Sequence, residues 1–180
     1  MGAATHLVAK VGGDADGLKT LANLRGASVG VDTVITEVST PTGQALVVVD
    51  PDGENSIAVI SGANALLSAQ DVTDALTALR PLAADVILTS GEVPLPCLQA
   101  VAGFLAPGTR WVHNPAPAGI LPAWPQDNRP LLVVNEVEAR QLTGAADARA
   151  AAAEILAEAA SGAVSHPGRR RCPGCPGGAM

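Results

Sequence analysis

The chain has no tyrosine, one phenylalanine and two tryptophans in 180 residues. A core without aromatics has to be built from Ala, Val and Leu, with Phe104, Trp111 and Trp124 as its only large rings. Cations are also scarce: 11 Lys and Arg stand against 17 Asp and Glu, a net charge of −6. That balance argues against a nucleic-acid partner, because neutralising phosphates takes clustered Lys and Arg. The one basic run, Arg169 to Arg171, lies in an atypical tail. No stretch approaches the ~18 apolar residues that would cross a bilayer, and the N-terminus lacks the basic-then-apolar layout of a secretory signal. No membrane partner is expected, and the expected location is cytoplasmic. Cysteines number three, and Cys97 is far from Cys172 and Cys175, which makes no disulfide framework. A Walker-type glycine loop is missing as well.

What is present is a chain of single-domain size, 48% hydrophobic, enough to bury a core. Residues 5–11 predict a strand, 12–17 (GGDADG) a turn, and 16–26 a helix with Leu18, Leu21 and Leu24 on one side. Two β-rich runs, 44–50 and 56–60, flank Pro51-Asp52-Gly53 and predict a hairpin. Ser68, with Asp71 three residues on, predicts a capped helix ending near Arg80-Pro81. Strand and helix then alternate: strands at 85–90, 109–113 and 131–134, helices at 95–106, 136–143 and 146–160. Apolar strands in that rhythm predict a mostly parallel sheet covered by helices, an α/β fold, with the hairpin as an antiparallel excursion.

Three places could carry chemistry. Glu92 directly follows the strand DVILTS. In open α/β sheets ligands gather at the carboxyl ends of strands, and a carboxylate there can accept sugar hydroxyls. The plain alternative is an exposed loop acid before a proline. Asn135 and Glu138 follow the strand LLVV at helical spacing i, i+3, where a helix N-terminus favours anions. Asn135 could hold a phosphate oxygen and Glu138 a magnesium ion through water. The alternative is an ordinary N-cap with an acid in the first turn. The NPAPA run, Asn114 to Ala118, is a stiff loop fixed by two prolines. Gly12 to Gly17 lacks the remaining ligands of a calcium loop. Cys172 and Cys175, with or without His166, make neither a redox pair nor a zinc set at any regular spacing. His113 lies in a predicted strand and is expected to be packed rather than catalytic.

Taken together, GENSIAVISGAN (Gly53 to Asn64), NPAPA and NEVEARQLTG (Asn135 to Gly144) resemble the ribokinase branch of the PfkB-type carbohydrate kinase family. The similarity runs from residue 3 to about 164 and is strongest over 42–64, 85–94 and 112–144. It implies a ribokinase-like three-layer α/β sandwich with a mostly parallel sheet and a small β-hairpin lid at about 42–60, truncated at both ends. It also implies ATP-dependent phosphorylation of ribose to ribose 5-phosphate, with Mg²⁺ and a monovalent cation as further cofactors. By resemblance, Glu92 binds the sugar, Asn135 the nucleotide and Glu138 the metal, and the lid forms a homodimer contact. No residue is assigned as catalytic: the family's catalytic aspartate and anion hole have no counterpart here. The chain alone is accordingly expected to be inactive. The alternative is a non-catalytic remnant that binds nucleotide weakly or dimerises through the lid edge.

The domain is expected to span 1–164 and to give way at 165 to a disordered Pro, Gly and Arg-rich tail. A back-translation of Ser165 to Cys175 exists in which reading one nucleotide later gives HTLGAGGALVA. That is the strand end and nucleotide loop with which the family continues, so the tail is expected to be an out-of-frame translation.

Overall fold

The computed structural model describes residues 2–51, 53, 55–82, 85–105, 108–119, 121–125, 128–158 and 162–166. The tail from 167 onward, with Cys172 and Cys175, and Glu54 of the hairpin motif lie outside the described residues. The chain divides into two compact units. The first comprises Met1–Leu82, Glu92–Ala106 and Pro122–Trp124; the second comprises Ala83–Gly91, Pro107–Leu121 and Pro125–Met180.

The first unit contains β1 (Thr5–His6), β2 (Ala9–Gly12), α1 (Ala15–Gly26), β3 (Val29–Gly30), β4 (Val34–Glu37), β5 (Gln44–Val49), β6 (Asn55–Ile60), a 3₁₀ turn (Gly62–Leu66), α2 (Ala69–Leu79) and α3 (Leu95–Phe104). The single strand predicted over 5–11 is broken in two. β1 pairs with β3 and β2 with β4, both parallel. A turn closed by Val34 N–H to Val31 O at 3.0 Å separates β3 from β4. Across that break the Thr33 hydroxyl donates to Leu7 O at 2.8 Å, taking the place of a ladder amide. Neither β3 nor β4 was anticipated, because each is too short for an alternating pattern to register.

Val11, Leu21 and Val31 form a small core with Leu24 and Val34. Leu18, expected on the same helix stripe, is instead 64% exposed. Helix α2 starts as its sequence predicts: Ser68 Oγ accepts Asp71 N–H at 3.1 Å, and Asp71 Oδ2 accepts Ser68 N–H at 2.9 Å. It ends at Arg80 in the left-handed region, before Pro81. Its buried stripe, Val72, Ala75 and Leu76, has i, i+3, i+4 spacing. The helix packs on α3, which buries Cys97, Leu98, Val101 and Ala102. Strands β5 and β6 pair antiparallel, from Gln44 with Ile60 to Val49 with Asn55. The turn between them includes Gly53 at φ +83°, a conformation glycine adopts without penalty. Among the described residues the hairpin has no third strand, and Leu46, Val47, Val48, Val49, Ile57 and Val59 are all exposed.

The second unit is a four-stranded parallel sheet with two helices. β7 (Val86–Ser90), β8 (Arg110–Asn114), β9 (Leu131–Asn135) and β10 (Gly162–His166) lie in the order β10-β9-β8-β7. Helices α4 (Glu136–Thr143) and α5 (Ala148–Glu158) join β9 to β10. Because side chains alternate along a strand, Leu132 and Val134 share one face of β9. They form a core with Ala139 of α4 and Ala151 and Ile155 of α5. Trp111 and His113, also buried, stand in register with Ile87 and Thr89. Strand β10 runs past residue 164, after which the tail was expected to begin. Ser165 and His166 belong to the strand, paired with Val134 and Asn135, although composition placed them in the tail. Composition changes there before the parallel ladder ends. With parallel pairing in every ladder except the hairpin, the chain has the expected α/β class.

Candidate functional site

Strand β9 delivers its last residue, Asn135, directly into α4, of which it is the N-cap. Asn135 Oδ1 accepts the Glu138 N–H at 2.8 Å, and Glu138 Oε2 accepts the Asn135 N–H at 2.8 Å. Two amides that a helix start leaves without partners are thereby satisfied. Both side chains are partly buried. The two residues singled out in the sequence are thus together, and the cap uses Asn135 Oδ1 and Glu138 Oε2, leaving the Asn135 Nδ2 donor and the second Glu138 carboxylate oxygen outside it. With the positive end of α4 behind them, they make a place that suits an anion paired with a cation. Gly144 closes the helix in the left-handed region at φ +75°, its N–H bonded to Arg140 O at 2.7 Å.

Glu92 stands in the turn after β7 and is exposed. The turn is held from behind, since Gly91 N–H donates to Asn114 O at 2.8 Å. Asn114, first residue of the NPAPA run, also donates from Nδ2 to Val133 O at 2.7 Å. Pairing of β8 with β9 runs over Val112 with Leu131 and His113 with Leu132. The Asn114 side chain extends that ladder by one rung beyond it. The asparagine of NPAPA thus ties β8 to β9 and to the turn after β7.

Two polar arrangements have no counterpart in the sequence reading. In the sheet interior, Trp111 Nε1–H donates to Thr89 Oγ1 at 2.9 Å, and Thr89 Oγ1 lies 2.9 Å from His113 Nδ1. Burial pushes the His113 pKa below its ordinary value. A neutral ring with its proton on Nε2 accepts the Thr89 hydroxyl at Nδ1. In the first unit, Asp14 caps α1 and also binds Thr42, an arrangement that holds its pKa at about 2. An acid just ahead of a helical pattern is a cap signal, so half of this was legible. The partner 28 residues away leaves no local trace. An open cavity of about 600 Å³ lies beside this foot of the hairpin, lined by Lys19, Asn23, Thr42, Gln44, Leu46 and Ile60 among others. Neither Glu92 nor Asn135 lines it. Among the described residues no group of three or more His, Cys, Asp or Glu could hold a metal ion, and no helix is long and apolar enough to cross a membrane.

The sequence profile of the pfkB family carbohydrate kinases matches residues 1–166. A bifunctional ribokinase/ribose-5-phosphate isomerase A from Fructilactobacillus sanfranciscensis is 33% identical over 144 residues, covering 79% of this chain and 26% of that protein. A ribokinase from Staphylococcus aureus is 34% identical over 145 residues, covering 80% of this chain and 47% of that protein. The chain thus spans under half the length of either relative. Among solved structures, a ribokinase from Cryptococcus neoformans in complex with ADP superposes with a TM-score of 0.63 at 30% identity, covering 84% of this chain and 50% of that one.

Proposed function

The chain belongs to the pfkB family of carbohydrate kinases, and on that premise we propose that it serves the ATP-dependent phosphorylation of ribose on a hydroxyl group. The observation that carries this reading is the Asn135–Glu138 pair at the start of α4. Phosphoryl transfer is mostly positioning and charge stabilisation, and both can be assigned to residues present. Asn135, whose Oδ1 is committed to the cap, donates from Nδ2 to a phosphate oxygen. Glu138 holds Mg²⁺ through water with the oxygen that the cap leaves over, in keeping with the reluctance of Mg²⁺ to shed its hydration shell. When bound, the metal neutralises phosphate charge. Glu92, at the carboxyl end of β7, accepts hydroxyls of the sugar. The hairpin is the lid that excludes water and so favours transfer to the sugar, and its exposed apolar strands are the homodimer contact. A monovalent cation is a further cofactor by family likeness, and the compartment is the cytoplasm, where ATP is available.

None of the described residues is assigned as the base, and the expectation for this chain on its own is binding without turnover. The second reading, a remnant that binds nucleotide weakly or only dimerises, is favoured by the capping box, since a structural role alone accounts for both side chains. Transfer of labelled γ-phosphate from ATP to ribose separates the possibilities. Turnover on the order of 1–100 per second would overturn the remnant reading and the expectation of inactivity together. Absence of both transfer and ribose binding would overturn the kinase reading.

A further inference from the structure

The first unit contains a polar hub that none of the proposed ligand contacts uses. Asp14 Oδ1 accepts the Gly17 N–H at 2.9 Å and caps α1. The same carboxylate reaches the foot of the hairpin: the Thr42 hydroxyl donates to Oδ1 at 2.6 Å, and the Thr42 N–H donates to Oδ2 at 2.8 Å. Thr42 Oγ1 in turn accepts the Gly12 N–H at 3.0 Å. The fit is close enough to demand glycine. A Cβ at Gly17 would run into the Gly12 carbonyl and the Thr42 hydroxyl, and one at Gly12 into the backbone of Pro41 and Thr42. The returning strand is drawn to the same point, where Ala63 N–H donates to Pro41 O at 2.9 Å. A Cβ at Gly62 would meet Pro41 O and Gly43 N. One foot of the hairpin is therefore held on the Asp14 carboxylate through Thr42, and the other is tied to the adjoining Pro41 carbonyl. Beyond them, β5 and β6 pair only with each other among the described residues. A two-stranded hairpin is marginal by itself, so its direction depends on its foot.

We propose that Asp14 is a positioning residue for the lid: through Thr42 its carboxylate fixes the angle at which β5 and β6 project from the rest of the first unit. The role rests on the reading of the hairpin as a lid over ribose. Capping and clamping are separable, because asparagine is as good an N-cap as aspartate. Its amide keeps one oxygen for Gly17 N–H but turns an NH₂ donor toward the Thr42 N–H, where no bond can form.

The test is amide hydrogen exchange on the full chain, comparing wild type with Asp14→Asn, Thr42→Val and Thr42→Ser. Exchange over 44–49 and 55–60 should accelerate about tenfold or more in Asp14→Asn and Thr42→Val, with the α1 amides of Asp14→Asn at wild-type rates; about tenfold corresponds to losing one hydrogen bond. Thr42→Ser, which keeps the hydroxyl, should match wild type. Hairpin rates unchanged in both disruptive variants would overturn the clamp, as would hairpin and core amides accelerating by one common factor. A second arm adds ribose, which should slow hairpin exchange in wild type and much less in Asp14→Asn. No effect of ribose on wild type would overturn the lid reading, and with it the lid-positioning role, whatever Asp14→Asn does alone.

Discussion

Asn135 and Glu138 each accept the other's backbone N–H at 2.8 Å, so the two residues assigned to nucleotide and metal also hold the start of α4 in place. On the proposed function one pair serves both stability and binding, and the two contributions can be separated by choice of side chain.

Serine caps a helix about as well as asparagine but has no amide donor. Asn135→Ser is expected to leave the melting temperature nearly unchanged while weakening Mg·ATP binding about tenfold, the equivalent of one charge-assisted hydrogen bond, about 1.5 kcal/mol. Asn135→Ala should lose the same binding and in addition about 1 kcal/mol of stability. Thermal unfolding and nucleotide titration of both variants check this. Wild-type affinity in Asn135→Ser would reduce Asn135 to a cap.

His113 is buried and its pKa is lowered by burial. The unfolded chain therefore binds a proton at higher pH than the folded one. Stability conferred by the neutral ring is complete above the ordinary histidine pKa of about 6.5 and declines as pH falls below it. Denaturant unfolding between pH 7.5 and 5 should show this slope, and His113→Gln should flatten it. An unchanged slope would place the titration elsewhere.

Asp14 titrates near 2, lowered first by the Thr42 hydroxyl, then by the Gly17 and Thr42 amides. A depressed carboxylate pKa makes its contribution complete above the ordinary range near 3.8, and that contribution is lost as pH falls toward 2. Hairpin exchange corrected for intrinsic rates should thus stay constant from pH 7 to 5 and rise only in stronger acid. A rise already at pH 5 would contradict the clamp.

Cys97 is 2% exposed, donates from Sγ to Leu67 O at 3.2 Å, and has its pKa raised, chiefly by burial. A thiol in that state is inert. In a Cys172→Ser/Cys175→Ser background, alkylation of Cys97 should proceed only as fast as the α2–α3 pair opens. Denaturant should accelerate it in step with unfolding. Labelling at the rate of a free thiol in native buffer would show that the pair is loose.

The sequence was most legible where the determinants are local. The Ser68–Asp71 box, the Gly144 stop and the start of α4 are each written within four residues, and periodicity located the strands of the four-stranded sheet apart from β10. It was silent where partners are distant. Thr42 on Asp14, Thr33 on the Leu7 carbonyl and Asn114 on the Val133 carbonyl join residues with no shared pattern. Leu18 shows the opposite failure: it has the right spacing for a buried stripe, yet is 64% exposed, because tertiary neighbours decide burial. Of the site, the Asn135–Glu138 pair could be read from spacing. Its capping was the alternative expected from the sequence, and the structure adds that both side chains take part in it.

The central claim, that this chain carries separate sugar and nucleotide contacts, is tested most directly by calorimetric titration of wild type, Glu92→Gln and Asn135→Ser with ribose and with Mg·ATP. Saturable binding of both ligands to wild type is expected, with ribose binding alone lost in Glu92→Gln and nucleotide binding alone weakened about tenfold in Asn135→Ser. No saturable binding of either ligand to wild type, or variants that bind both as wild type does, would contradict it.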